Sequence, residues 1–80
     1  MTDNLKDMNK VVGAKQVKRA IKSSKVNKVY IAKDAETKVT SEIEEQCDKM
    51  HIPILYVETM KELGNACGID INAAVAALLI

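Results

Sequence analysis

Short apolar runs alternate with amphipathic segments along this 80-residue chain, and no other feature of the sequence limits the fold as strongly. Residues 29–32 and 54–57 are apolar runs that contain β-branched side chains, and polar residues or proline flank each run. Runs of this length and composition are typical of strands that are covered on both faces. We therefore predict two buried strands, of which the first lies at the centre of a sheet.

The segment between these two runs has the spacing of a helix. Its apolar residues fall on one face, and its acidic residues take the opposite face. Proline disfavours helical geometry in the residue before it, so the helix is predicted to end before Pro53. The apolar face consists of Val39, Ile43, Cys47 and Met50.

Four further segments are assigned from spacing and from capping residues. A helix over about residues 14–23 follows a brief extended piece at 11–13, and Leu5 and Met8 fit a short N-terminal helix. Thr59 and Glu62 have the spacing of a capping box, which predicts a third helix that ends at Gly68.

The C-terminal run 73–80 is entirely apolar, and its periodicity does not distinguish a buried helix from a buried strand. Its alanine content favours a helix, whereas its short length and Val75 favour a central strand. In both cases, alternating helices and strands predict one α/β domain over residues 1–80, with helices covering both faces of a small sheet. The core must be aliphatic, because the chain has no Phe and no Trp.

Charge is distributed very unevenly along the chain, although the formal net charge is only +1. Residues 1–33 carry nine basic and two acidic side chains, whereas residues 34–80 carry three basic and nine acidic ones. No acidic residue occurs between Lys10 and Lys33. Such clustering is typical of a surface that binds a polyanion, although a merely solvated helix face is the alternative.

The two cysteines, Cys47 and Cys67, fall at apolar positions of predicted helices. This position favours two reduced, buried thiols over a disulfide. The chain shows no secretory signal and no apolar run long enough to cross a bilayer. We therefore expect a cytoplasmic protein without a membrane partner.

Few residues are suited to catalysis or to metal binding. Cys47 and His51 are the one candidate nucleophile–base pair, but nothing in the sequence indicates a lowered thiol pKa or an oxyanion hole. One histidine and two cysteines fall short of the four ligands of a structural zinc site, and no phosphate-binding glycine motif occurs. We expect no enzymatic activity, no metal and no cofactor.

Two segments are candidate binding sites. In the first, a glycine precedes a helix, so that a nucleic-acid backbone could approach closely and a phosphate could bind the free N–H groups of the first turn. In the second, two isoleucines follow a helix end, where they either pack into the core or offer an apolar surface to an unstacked base. The segments are GAKQVKR at 13–19 and GIDIN at 68–72.

Four stretches carry a resemblance to a known family. They are GAKQVKR at 13–19, VYIAKDA at 29–35, IPILYV at 52–57, and LGNACGI at 63–69 running into AAVA at 73–76. Through them, residues 10–80 resemble the ribosomal protein family of L-seven-Ae and L-thirty-e, in particular its short bacterial, YbxF-type branch. The resemblance implies a three-layer α/β/α sandwich with a mixed sheet of about four strands, in which residues 75–80 form a strand.

The resemblance also implies the ligand, which is kink-turn RNA. In this RNA a short bulge lies beside tandem sheared G·A pairs. Family members place the N-terminus of the helix after Gly13 at those pairs. They place the loop after the Leu-Gly motif over the bulged nucleotides. Residues that contact phosphates, and the loop that covers the bulged nucleotides, complete the predicted surface. The implied RNA-binding residues are Gly13, Lys15, Gln16, Lys18, Arg19, Lys33, Asp34, Lys61, Ile69, Asp70 and Ile71.

One departure from the family pattern affects specificity. Lys15 and Gln16 stand where the wider family has Asn-Glu, so a carboxylate acceptor is lost and a cation is gained. Gln16 keeps an amide that both donates and accepts, whereas Lys15 can only donate. We expect looser base specificity and a larger, more salt-sensitive phosphate contribution.

The sequence thus predicts a non-enzymatic, monomeric kink-turn binder, associated with the ribosome, whose partner is ribosomal RNA or a structured messenger leader. The alternative is a protein-interaction adaptor. In that case the acidic helix over 41–50 would dock a basic partner, and the lysine surface would only increase solubility.

Overall fold

The computed structural model describes residues 9–69 and 71–80. The N-terminal helix predicted from Leu5 and Met8 lies outside these residues. None of the described helices is long and apolar enough to cross a membrane. The described elements are β1 (Lys10–Val12), α1 (Ala14–Lys22), β2 (Val26–Ala32), α2 (Thr37–Met50), β3 (Ile54–Val57), α3 (Met60–Ala66) and β4 (Val75–Leu79).

The strands form one mixed sheet in the order β1-β4-β2-β3. β4 pairs antiparallel with both β1 and β2, and β2 pairs parallel with β3. The ambiguous apolar run at the C-terminus is therefore a strand, as the family resemblance implied. Residues 75–77 are buried because β4 lies between two other strands and is covered on both faces, whereas Ile80, after the strand, is 83% exposed.

Alternating side chains of β2 divide the core into two layers. Val29 and Ile31 pack with residues of α1 and α2 on one face of the sheet. Tyr30 and Ala32 pack with residues of α3 on the other face. The three-layer α/β/α sandwich with a four-stranded mixed sheet is thus confirmed.

Two predictions of burial are wrong. β3 is not a buried strand, because it is an edge strand and exposes Leu55 and Tyr56 by 45% and 51%. Met50 is 44% exposed, whereas Thr40 takes a buried position on α2 that the sequence did not indicate. In α-helical geometry Met50 lies about 60° around the axis from Cys47, at the margin of the buried face.

Candidate nucleic-acid interface

The predicted binding segments meet at one end of the sheet. The backbone N–H of Gly13 donates to the carbonyl of Val75 at 3.0 Å, and that of Ala32 donates to the carbonyl of Ala74 at 2.9 Å. These bonds bring together the start of α1, the end of β2 and the segment that leads into β4. β3 runs parallel to β2 and therefore ends on the same side.

Gly13 opens α1 in a conformation that favours glycine, with φ at +101°. Its carbonyl accepts the N–H of Val17 at 3.0 Å. Among the described residues, no side chain caps the first turn of α1, and the turn itself contains no acidic residue. A Cβ at Gly13 would meet no atom of residues 9–69 and 71–80 within 4 Å. This end of α1 therefore presents free N–H groups to an open space, which is an arrangement that favours an anion.

The side chains of α1 divide between core and solvent as its spacing predicted. Val17 and Ile21 are buried, whereas Lys15, Gln16 and Arg19 are exposed. Within the described residues, these three polar side chains have no hydrogen bond or ion pair. They are therefore available to a ligand that approaches the N-terminal end of α1.

Two of the predicted phosphate ligands are already engaged by carboxylates. Lys18 forms an ion pair with Glu42 of α2. The hydrogen bond from Lys18, with its positive charge, lowers the pKa of Glu42. Lys33 follows β2 directly, and Glu58 follows β3 directly. The Nζ of Lys33 lies 2.9 Å from Oε1 of Glu58. Surface pairs of this kind contribute only about 0–1 kcal/mol, so a phosphate could displace either carboxylate.

Asp34 has a structural contact that the sequence did not indicate. Its Oδ1 accepts the backbone N–H of Met60 at 2.8 Å. Thr59 Oγ1 accepts the N–H of Glu62 at 3.0 Å, which confirms Thr59 as the N-cap. Asp34 therefore holds the first turn of α3 against the end of β2. Lys61, in the same turn, is exposed.

The loop after α3 separates the two isoleucines. The N–H groups of Gly68 and Ile69 donate to the carbonyls of Asn65 and Gly64 at 3.0 and 3.1 Å, and Gly68 has φ at +76°. This is a Schellman motif, in which the residue after the glycine usually makes an apolar contact with the helix. Ile69 accordingly packs against the core cluster below α3, whereas Ile71 is 71% exposed.

The sequence left open whether the two isoleucines pack into the core or face a ligand, and the structure gives a different answer for each. Ile69 is half-buried, and Ile71 can offer its side chain to a ligand. The predicted site residue Asp70 lies outside the described residues.

Sequence reasoning missed two residues of this region, Glu58 and Gly64. A Cβ at Gly64 would lie 2.1 Å from the carbonyl oxygen of Ile71, so the loop rests on the helix at this point. A glycine inside a helix was the available signal, because it is unfavourable there unless packing requires it. Lys33 follows β2 and Glu58 follows β3. The two side chains meet only because β2 and β3 are neighbours in the sheet, and the sequence does not show the strand order.

The thiols are not placed for nucleophilic chemistry. Cys47 and Cys67 are free and buried, as predicted. Burial, reinforced by the charge of Glu44, raises the pKa of Cys47 to about 11, and burial raises the pKa of Cys67. His51 is exposed at the left-handed end of α2. Among residues 9–69 and 71–80, no group of three potential ligands could hold a metal ion.

The acidic helix of the adaptor alternative is partly occupied within the chain. Glu42 pairs with Lys18, and Glu44 accepts a hydrogen bond from the hydroxyl of Tyr56. The bond to Glu44 raises the pKa of Tyr56. Two carboxylates of α2 therefore already have partners on α1 and β3.

Comparison with known proteins identifies relatives along nearly the whole chain. Residues 2–80 match the family described as the ribosomal protein L7Ae/L30e/S12e/Gadd45 family. The RNA-binding protein TTE2299 of Caldanaerobacter subterraneus subsp. tengcongensis is 55% identical over 71 residues, which cover 89% of this chain and 87% of that protein. The RNA-binding protein YbxF of Geobacillus stearothermophilus is 35% identical over 69 residues, with coverages of 86% and 84%.

A solved structure supports the fold. The 15.5kD RNA binding protein of Giardia lamblia superposes with a TM-score of 0.85 at 22% sequence identity, over 90% of this chain. This chain spans 61% of that protein. At this level of identity the similarity concerns the fold alone.

Proposed function

Because the chain belongs to the ribosomal protein L7Ae/L30e/S12e/Gadd45 family, we propose that it is a non-enzymatic RNA-binding protein whose ligand is a kink-turn. The resemblance inferred from residues 10–80 is confirmed at the level of the family. Relatives named as RNA-binding proteins, at up to 55% identity, support RNA as the class of ligand.

One observation carries this proposal more than any other: a positively charged helix N-terminus and an exposed apolar residue belong to segments that meet at one end of the sheet. The first turn of α1 contains no acidic residue and has no side-chain cap from the part of the chain that the structure describes. Ile71 is exposed in the loop that leads into β4, and Val75, at the start of β4, is hydrogen-bonded to Gly13. A kink-turn combines a bent phosphate backbone with unstacked bases, so it requires both kinds of surface.

In this proposal each part of the interface has its own role. The open space beside Gly13 lets the RNA backbone approach the N–H groups of α1. Lys15, Gln16 and Arg19 contact the sheared G·A region. Lys18, Lys33 and Lys61 neutralise phosphates, Asp34 holds α3 in place beside them, and Ile69, Asp70 and Ile71 form the loop over the bulge.

The pair Lys15 and Gln16 sets the balance between shape and sequence recognition. Gln16 can donate to and accept from a base edge, whereas Lys15 adds only donors and a charge. Binding is therefore expected to depend strongly on salt and only weakly on the identity of individual bases.

The setting belongs to the proposal as well. We place the protein in the cytoplasm as a monomer that is associated with the ribosome, where ribosomal RNA or a structured messenger leader is the ligand. Its mechanism is capture and stabilisation of a sharply bent RNA, without a chemical step.

A titration at several salt concentrations tests the proposed function. The two RNAs are a kink-turn and the same duplex with its sheared G·A pairs replaced by Watson–Crick pairs. A clear preference for the kink-turn supports recognition through α1 and the Ile71 loop. Equal, steeply salt-dependent binding to both RNAs would reduce the site to a basic patch, and binding to neither would favour the adaptor alternative.

A further inference from the structure

A glycine inside α3 allows the following loop to lie directly on the helix. Gly64 is buried, and it is an interior residue of the seven-residue helix. Glycine in a helix interior costs about 0.5–1 kcal/mol relative to alanine, so its presence calls for a local reason. A Cβ at this position would lie 2.1 Å from the carbonyl oxygen of Ile71 and 3.4 Å from Cα of Asn72. The loop fits only because position 64 has no side chain.

Hydrogen bonds fix this loop to α3 at both of its ends. At the start, the N–H of Ile69 donates to the carbonyl of Gly64 at 3.1 Å. At the end, the N–H of Ala73 donates to the carbonyl of Met60 at 3.0 Å. Between them, the main chain of Ile71 rests on Gly64 while its side chain is 71% exposed. The exposed side chain is therefore held from below by main-chain contacts.

We propose that Gly64 is a positioning residue for RNA binding, because it sets the height at which Ile71 presents its side chain to an unstacked base. This inference rests on the proposed function and extends it to a residue that does not itself contact RNA. An apolar surface held in place before binding loses less conformational freedom when a base packs on it. Gly64 thus supplies the preorganisation, and Ile71 supplies the contact.

A side chain at position 64 should disturb this arrangement locally. The carbonyl oxygen of Ile71 would have to retreat from 2.1 Å to at least 3.0 Å from the new Cβ. The displacement begins at Ile71 and Asn72, which lie against position 64, and it strains the hydrogen bonds that join Ile69 and Ala73 to α3. The basic residues of α1 belong to a different layer of the fold and should keep their positions.

The binding test compares Gly64→Ala with a matched control, Asn65→Ala, which adds the same helix former at an exposed neighbouring position. Each variant is titrated with a kink-turn RNA and with the same RNA lacking its bulged nucleotides. We expect Gly64→Ala to lose about tenfold of the preference for the bulged RNA, because it weakens the apolar contact between Ile71 and a bulged base. Its affinity for the RNA without the bulge, and the salt dependence of that affinity, should stay at the wild-type level.

A measurement without RNA separates a displaced loop from a destabilised domain. Amide hydrogen exchange should become about tenfold faster at Ile69 and Ala73 in Gly64→Ala, and stay unchanged at Val29 in the sheet. Acceleration at all three amides together would show a loss of global stability and overturn the positioning role. A wild-type preference for the bulged RNA in Gly64→Ala would also overturn it.

The two proposals fail in different measurements. If kink-turn recognition is wrong, the wild-type chain itself will not distinguish the kink-turn RNA from the same RNA without its bulged nucleotides. In that case, the exchange rates of Ile69 and Ala73 still decide whether Gly64 holds the loop. If only the role of Gly64 is wrong, the wild-type chain will prefer the bulged RNA and Gly64→Ala will behave identically.

Discussion

The carboxylate of Asp34 accepts a hydrogen bond from the backbone N–H of Met60 at 2.8 Å, and so joins the end of β2 to the first turn of α3. The carbonyl of Met60 in turn accepts the N–H of Ala73, at the end of the loop that carries Ile71. Asp34 is thereby connected to the apolar part of the interface through two successive hydrogen bonds. A carboxylate beside an RNA phosphate is otherwise unfavourable, since like charges repel.

Removing this carboxylate should lower stability and affect RNA binding only through α3. Asp34→Ala is expected to lower the free energy of unfolding by about 1 kcal/mol, the usual cost of losing a helix cap. Thr59→Ala is the matched control, because it removes the other cap of the same helix. Urea titrations and RNA titrations of both variants check this. If Asp34→Ala weakens RNA binding far more than Thr59→Ala does, Asp34 contacts the RNA directly.

Reversing two charges on α1, Lys15 in the first turn and Arg19 in the last turn, should abolish RNA retention without unfolding the domain. Lys15 and Arg19 are exposed and have no hydrogen bond or ion pair within the described residues, so the double change to Glu breaks none there. The control is Lys38→Glu with Lys49→Glu, which alters the net charge equally on α2. Filter retention and thermal melting are the measurements. Unchanged retention by the α1 variant would refute the RNA-binding proposal.

The sequence predicted the layers of this fold better than it predicted exposure. Periodicity identified α1, α2 and α3, and apolar runs identified β2 and β3, because these patterns follow from local geometry. The strand order is not local, and it leaves β3 at an edge with Tyr56 exposed. For the same reason, the C-terminal run could be assigned as a strand only through the family resemblance.

In the candidate site, too, the sequence predicted what depends on local spacing and missed what depends on contacts between distant residues. Lys15, Gln16 and Arg19 were predicted correctly as exposed, since they lie on one helix whose buried face is clear from the sequence. The contacts of Asp34 and Glu58 join residues that are more than twenty positions apart in the chain. No sequence spacing reports such pairs, so the sequence predicted Asp34 as an RNA ligand and did not predict Glu58 at all.

Neutralising Glu58 should strengthen RNA binding. This carboxylate pairs with Lys33 at 2.9 Å, and the pair must open before Lys33 can bind a phosphate. Removing an exposed pair of this type changes the free energy by up to about 1 kcal/mol, so Glu58→Gln should raise the affinity about two- to fivefold. The effect should shrink at high salt, because surface charges are screened there.

A control for Glu58→Gln is Glu45→Gln, which makes the same charge change on α2, on the surface that faces α1. Titrations of both variants with the same kink-turn RNA, at low and high salt, provide the comparison. Equal gains for the two variants would mean that the effect is long-range electrostatics. In that case, Lys33 is not a phosphate ligand that Glu58 restrains.

The buried thiol of Cys47 should make the domain less stable at alkaline pH. Burial raises the pKa of this thiol from an ordinary value of 9.0 to about 11. Between these two values the unfolded chain loses the thiol proton while the folded chain keeps it, so the folded state binds more protons. Stability therefore falls as the pH rises from about 9 to about 11.

Cys47→Ala removes this dependence but opens a cavity, so its stability should be lower at neutral pH and change less across that interval. Urea unfolding of both chains at several pH values is the measurement, and equal pH slopes would show that Cys47 does not titrate as proposed. RNA binding at neutral pH should be the same for both chains, because the thiol is not part of the interface.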